Sequence, residues 1–190
     1  MNPLTQLSEE ERMFQGAVRD FAESEVRPRV RAMEQAAQLD PTLLPKFFEL
    51  GLMGIEIPEA HGGAGGSLFM TVLAVEELSA VDASAAIFVD VQNTLVNALL
   101  LKWASDDVKR RYLPRLATDL VGAYALSEAA SGSDAFGLLT KATRQGDNWI
   151  LDGRKLWITN GAEAHLFLVF ANVDMSKGYK GITEIGRAHV

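Results

Sequence analysis

A chain of 190 residues, 48% hydrophobic and 23% charged, has material for one large domain or a domain and a half, with enough apolar surface for a core. Its net charge of -7 and pI near 5.0 argue against nucleic acid as the main partner, because phosphate backbones select basic faces. The absence of cysteine excludes a disulfide framework, thiolate zinc sites and a cysteine nucleophile together.

In chain order, residues 1–11 carry neither a basic apolar leader nor an arginine-rich amphipathic presequence, so a cytoplasmic setting is the expectation. Ser8-Glu-Glu-Glu11 reads as a capping box that opens a helix. Phe14, Val18, Phe21 and Val26 form its buried stripe, while Arg19, Glu23 and Arg27 face water and Pro28 bends or ends it. Asp40-Pro41 caps a short second helix with Leu44, Phe47 and Phe48 inward, stopped at Gly51.

Glu59-Ala-His-Gly-Gly-Ala-Gly-Gly66 could cradle a phosphate, but no Lys-Ser/Thr follows it and no clear strand precedes it. A tight connection is the favoured reading. His61 has no second ligand at metal spacing. Ser67–Ala80 and Ala83–Ala104 read as two further helices separated near Val81-Asp82. The second is apolar but interrupted by Asp90, Gln92, Asn93 and Asn97, which marks a buried helix and not a membrane span. Ser105-Asp-Asp caps another helix to about Ala117, with Tyr112, Leu113 and Leu116 inward and Pro114 as a kink. Arg110, Arg111 and Arg115 are a solvated face.

After Asp119 the period changes. Gly122–Ser127, Leu139–Gln145, Trp149–Asp152, Lys155–Thr159 and Leu166–Asn172 are short runs broken by Gly146-Asp147-Asn148, Asp152-Gly153 and Asn160-Gly161, the pattern of an antiparallel meander. The fold class is therefore α+β: a helical domain over residues 1–120 and a β-rich domain over 121–183.

Two stretches in the β-rich half point to chemistry. Tyr124 to Asp134 begins as a small apolar strand and ends in hydroxyls, a glycine and two carboxylates, so it presents N–H and O–H groups at a ligand-facing edge. Lys155-Leu-Trp-Ile-Thr-Asn-Gly161 sets an indole and a hydroxyl two residues apart, on the same face of a strand, just before an Asn-Gly turn. A flat, electron-poor ring with polar edges suits that pair. Each side chain also has an ordinary structural role open to it: Trp157 as core, Ser127 and Ser133 as partners of turn N–H groups.

Taken together, Ala125-Leu-Ser-Glu-x-x-Ser-Gly-Ser-Asp134 and Lys155-Leu-Trp-Ile-Thr-Asn-Gly161 resemble the flavin-contacting core of acyl-CoA dehydrogenases. The similarity extends from the first helix to about Thr183. Within the family it is strongest to short/branched-chain members, through Gly51-Leu-Met-Gly-Ile-Glu-Ile57, Val81-Asp-Ala-Ser84, Gln92-Asn-Thr-Leu95, Asn172-Val-Asp174 and Gly178-Tyr-Lys-Gly-Ile-Thr183. The resemblance implies a helical N-terminal domain, part of an antiparallel β-barrel middle domain, and a C-terminal four-helix bundle that this chain lacks. It implies FAD as cofactor, acyl-CoA as substrate, electron-transfer flavoprotein as redox partner and a homotetramer as the full-length assembly. Carried over residue by residue, Tyr124, Leu126 and Ser127 line the flavin edge, Gly132 and Ser133 lie beside flavin and acyl-CoA, and Trp157, Ile158 and Thr159 lie against the isoalloxazine. Tyr179 matches a position that touches the CoA thioester.

The reaction so implied is α,β-desaturation of short or branched-chain acyl-CoA. Its glutamate base belongs to the C-terminal bundle, so Glu128 is not that base and the 190-residue chain is expected to be inactive alone. The ending Glu184-Ile-Gly-Arg-Ala-His-Val190 resembles a translated sequencing adapter, so residues 184–190 are expected to be a non-native tail on a truncated reading frame. The competing reading is a non-enzymatic helical interaction module with a β appendage, suggested by the long apolar helices of residues 67–104. Serine hydrolysis through Ser133, Asp134 and His165 fails, because no glycine follows the serine as a nucleophile elbow requires.

Overall fold

A computed structural model describes residues 6–188; the first five residues, where the leader reading partly falls, and the last two of the suspected tail lie outside the described residues. The chain forms two units, Met1–Asp119 and Leu120–Val190.

The first unit is helical. Helix α1 (Glu9–Phe21) starts at Ser8, whose hydroxyl accepts from the Glu11 N–H while the Glu11 carboxylate accepts from the Ser8 N–H, so the capping box is present with both bonds made. The rod then continues past its expected stop. A π segment (Ala22–Val26) and a 3-10 turn (Arg27–Arg29) carry it into α2 (Val30–Ala36), with Pro28 in the second position of that 3-10 turn, within a first turn where its missing N–H does little harm. Val18 and Val26 are buried and Phe14 and Phe21 partly so; the Arg19 guanidinium, which was expected only to face water, grips the Glu77 carboxylate with two 2.7 Å bonds. The bond from Arg19, outweighing burial, holds the Glu77 carboxyl below its usual range.

Helix α3 (Leu43–Glu49) buries Phe47 fully, as expected, and Leu43 fully in place of Leu44, with Leu44 and Phe48 partly buried. Asp40 helps to form its entry by accepting from both the N–H and the hydroxyl of Thr42, and Gly51 follows it at φ +75°. The glycine loop after Pro58 is a tight connection. Ala64, Gly65 and Gly66 donate N–H bonds to Gly54, Ile57 and Ile55, and a Cβ at Gly63 would sit 2.1 Å from the Ile57 carbonyl oxygen.

Helices α4 (Leu68–Ser79), α5 (Ala83–Asp90) and α7 (Asp106–Thr118) open on Ser67, Asp82 and Ser105, each side chain accepting from an N–H three residues on. From α5 a π segment (Val91–Asn97) leads into α6 (Ala98–Trp103). Residues Ala83–Trp103 are long and apolar enough to cross a membrane by length and composition alone. Their polar groups show a protein core instead. Asn93 donates to the carbonyls of Leu52 and Val89 and accepts from the Ile55 N–H, Asn97 donates to the Met53 carbonyl, and Gln92 donates to the Leu116 carbonyl, all buried.

The second unit is a five-stranded sheet: β1 (Gly122–Ala125), β2 (Lys141–Gln145), β3 (Asn148–Asp152), β4 (Leu166–Asn172) and β5 (Ile182–Ala188). It is mixed, which corrects the expected antiparallel meander. On one edge of β4, β1 pairs parallel from Gly122 with Leu166 to Ala125 with Val169, and β2 pairs parallel further along through Lys141 and Asn172. On its other edge β5 runs antiparallel along all seven residues. Only β2 and β3 form the expected hairpin, turning at Gly146-Asp147 with Gly146 at φ +63°. Strand β5 includes Glu184 to Ala188 of the suspected tail, which join through main-chain bonds that any non-proline residue can supply.

Candidate functional site

The two motifs lie in the segments that leave β1 and lead into β4. Strand β1 ends at Ala125, and a small loop follows in which Glu128 and Ser131 exchange main-chain bonds of 3.0 and 3.1 Å. The Ser131 hydroxyl donates to the Asp134 carbonyl at 2.7 Å, which closes the loop and leaves Gly132 and Ser133 exposed at its tip. A Cβ built at Gly132 meets nothing within 4 Å, so the tip faces open space.

The second motif is not a strand, which corrects the expectation for Lys155–Thr159. The backbone there is irregular, with Trp157 at φ +58° and Asn160 at φ +64°. Gly161 donates to the Ile158 carbonyl at 3.0 Å, so Asn160 sits third in a tight turn, where asparagine tolerates a positive φ. Trp157 has no such tolerance: a bulky residue in the left-handed region is an outlier that costs roughly 1–3 kcal/mol. Its indole is also 91% exposed, so burial does not offset that cost. Strain combined with an exposed aromatic face points to a surface held ready for a ligand.

Three bonds join the motifs. Leu156 donates its N–H to the Ser127 carbonyl at 2.9 Å, Lys155 Nζ donates to the Leu126 carbonyl at 2.9 Å, and Lys155 Nζ pairs with Glu128 Oε1 at 2.8 Å. Glu128 also accepts from the N–H groups of Leu139 at 2.7 Å and Thr140 at 2.9 Å. Burial alone would raise the Glu128 carboxyl; the bonds from Lys155, Thr140 and Leu139 outweigh it and hold it down at about 2. Asn160, buried, adds a link by donating to the Gly122 carbonyl at 3.3 Å.

Leu126, Ser127, Ile158 and Thr159 are all partly buried, on segments tied together by these bonds. Tyr124 stands apart on β1: its ring packs on Phe170 with centroids 4.8 Å apart, and burial followed by the Glu184 charge pushes its hydroxyl up. Tyr179 lies in a 3-10 segment (Met175–Gly181), its ring 5.3 Å from that of Phe136 and therefore against the segment that follows Ser133. Glu128, Lys155 and Asn160 are the contributors that residue-type reasoning passed over. A signal was available: the second motif carries a single charge, Lys155, and the first carries only acidic ones, Glu128 and Asp134, so the two are of opposite sign.

The donor set suits a flavin. Two partly buried hydroxyls, an open glycine loop and an exposed indole supply polar contacts for ring heteroatoms and a flat apolar face for the ring.

Comparison with known proteins identifies the family. Residues 8–119 match the model of the acyl-CoA dehydrogenase N-terminal domain, and residues 123–185 that of the middle domain. A probable short/branched chain specific acyl-CoA dehydrogenase of Dictyostelium discoideum is 47% identical over 184 residues, 96% of this chain and 45% of that protein. The structure of butyryl-CoA dehydrogenase from Megasphaera elsdenii superposes with a TM-score of 0.93 at 32% identity, over 99% of this chain and 50% of that one. A glutaryl-CoA dehydrogenase from Mycobacterium smegmatis in complex with FADH2 does so with a TM-score of 0.87 at 34% identity, over 96% and 46%. The chain thus spans about half the length of the relatives it matches. Two domain matches in sequence, in the same order as the helical and β units of the structure, show that the chain belongs to the acyl-CoA dehydrogenase family.

Proposed function

We propose that this chain is the N-terminal and middle part of an FAD-dependent acyl-CoA dehydrogenase that α,β-desaturates short or branched-chain acyl-CoA thioesters. The observation that carries the proposal is the junction of the two motifs through Leu156 and Ser127, with the strained Trp157 indole presented beside it. Bound flavin supplies the two-electron chemistry, taking the β-hydrogen as hydride.

The chain's own residues bind and orient. Trp157 offers its indole face to the isoalloxazine, with Ile158 and Thr159 alongside it, and Ser127 with Thr159 supplies hydroxyl donors to polar ring edges. Tyr124 and Leu126 frame the flavin edge. Gly132 leaves room for close approach, Ser133 serves flavin and acyl-CoA alike, and Tyr179 meets the thioester side. Glu128, ionised above a pH of about 2, is no general base; the glutamate that takes the α-proton belongs to the remainder of the family's length. Reoxidation by an electron-transfer flavoprotein and tetramer assembly belong to the same proposal.

The test uses a protein extended to the length of the relatives. It is expected to purify with flavin absorbance and to reduce a dye with short or branched-chain acyl-CoA, and Trp157→Ala should weaken FAD binding at least about tenfold. A colourless protein that takes up no added FAD would overturn the proposal in favour of a non-enzymatic helical module.

A further inference from the structure

We propose that Glu128 and Lys155 form a buried clasp that sets the spacing of the two flavin-facing segments, acting as positioning residues and not as acid or base. The inference rests on the flavin reading above for what the segments hold, and on geometry alone for the clasp itself.

The geometry differs from that of a surface ion pair. The Glu128 and Lys155 side chains are only 8% and 11% exposed, so each charge is largely withdrawn from water and depends on its partner. One carboxylate serves three pieces of chain: its own loop, the entry to β2 through the N–H groups of Leu139 and Thr140, and the second motif through Lys155. Lys155 reaches back in turn to the Leu126 carbonyl, one residue before Ser127. Immediately after Lys155 come Leu156, whose N–H meets the Ser127 carbonyl, and Trp157 with its positive φ. The clasp therefore stands at the root of both the strain and the junction. Surrounding structure that over-determines a strained residue is what lets the strain persist.

The bonds also predict an asymmetry. If attraction between opposite charges were all that mattered, exchanging the two residues would restore it. The N–H groups of Leu139 and Thr140 need an acceptor at position 128, and a lysine there supplies none. The double substitution E128K/K155E should therefore fail, while Lys155→Arg, which keeps a cation with several donors, should retain function.

Two measurements test the clasp. In the 190-residue chain, amide hydrogen exchange at Leu139, Thr140 and Leu156 should accelerate at least about tenfold in Lys155→Met and Glu128→Gln, with the β4 amides of Leu168 and Val169 unchanged as a control for global folding. Unchanged exchange at the three amides, or equal acceleration at the β4 amides, would overturn the clasp. In the holoprotein of family length, Lys155→Met should raise the Kd for FAD at least about tenfold, Lys155→Arg should stay within about twofold of wild type, and the swap should not recover. FAD affinity identical in wild type and Lys155→Met would defeat the clasp and leave the flavin reading standing. Faster exchange at the three amides, in a family-length protein that binds no FAD even as wild type, would support the clasp and defeat the flavin reading.

Discussion

Trp157 and Glu128 present opposite problems to the residues around them. Trp157 exposes a large apolar ring on strained backbone, while Glu128 buries a charge. Each is tolerable because of neighbouring bonds, and for Glu128 that dependence can be measured against pH. Its carboxyl titrates at about 2 in the folded chain against an ordinary 4.5. A depressed carboxyl adds stability that is fully present above about pH 4.5 and is lost as pH falls toward 2, at about 1.4 kcal/mol per pH unit and so at most on the order of 3 kcal/mol. The difference in urea stability between the chain and Glu128→Gln should therefore be constant from pH 7 to 5 and shrink steadily below that. A difference independent of pH down to 3 would show that the carboxylate is not bound as the structure has it. At this scale the sequence showed the residue types of the motifs but not the role of Lys155, because a lysine beside an apolar run reads as solvated until the fold brings a carboxylate to it.

At the scale of elements, helix starts were the most legible feature. Ser8, Ser67, Asp82 and Ser105 each cap as their side chains dictate, since a cap is satisfied within four residues. What followed the caps was less so. The rod from Glu9 to Ala36 passes through π and 3-10 turns without stopping at Pro28, and α3 buries Phe47 where spacing placed it but takes Leu43 inward in place of Leu44. The apolar run Ala83–Trp103 shows why composition alone misleads about membranes. Its asparagines are partners for the carbonyls and N–H of Leu52, Met53 and Ile55, a segment that has no regular ladder of its own. Asn93→Ala should strand the Leu52 carbonyl and the Ile55 N–H inside the core and cost about 2–4 kcal/mol by urea unfolding. A loss under about 0.5 kcal/mol, the range of a surface substitution, would mean those groups find other partners.

For the whole molecule, charge and topology have different origins. A net charge of -7 and a pI near 5.0 follow from composition, so solubility should pass through a minimum near pH 5, and the chain should not retard DNA in a low-salt gel; retardation would require a basic face that the count of residues conceals. The change from helix to sheet was legible because hydrophobic period changes along the chain and needs no partner to be seen. The membership of each strand in a mixed sheet was not. Strand β4 accepts β1 and β2 on one edge and β5 on the other, and neither a choice of edge nor a parallel direction leaves a trace in the alternation of a five-residue run. The same holds for the irregular backbone of Lys155–Thr159, whose β-prone residues read as a strand until its bonds to Leu126, Ser127 and Glu128 override that preference. By itself, then, the sequence determined what is settled between near neighbours: caps, turns, the apolar supply and the two motifs by which the family is recognised. Only the tertiary structure decided which distant groups meet, because Glu128 and Lys155 are separated by 27 positions of chain, and no local preference carries across that distance.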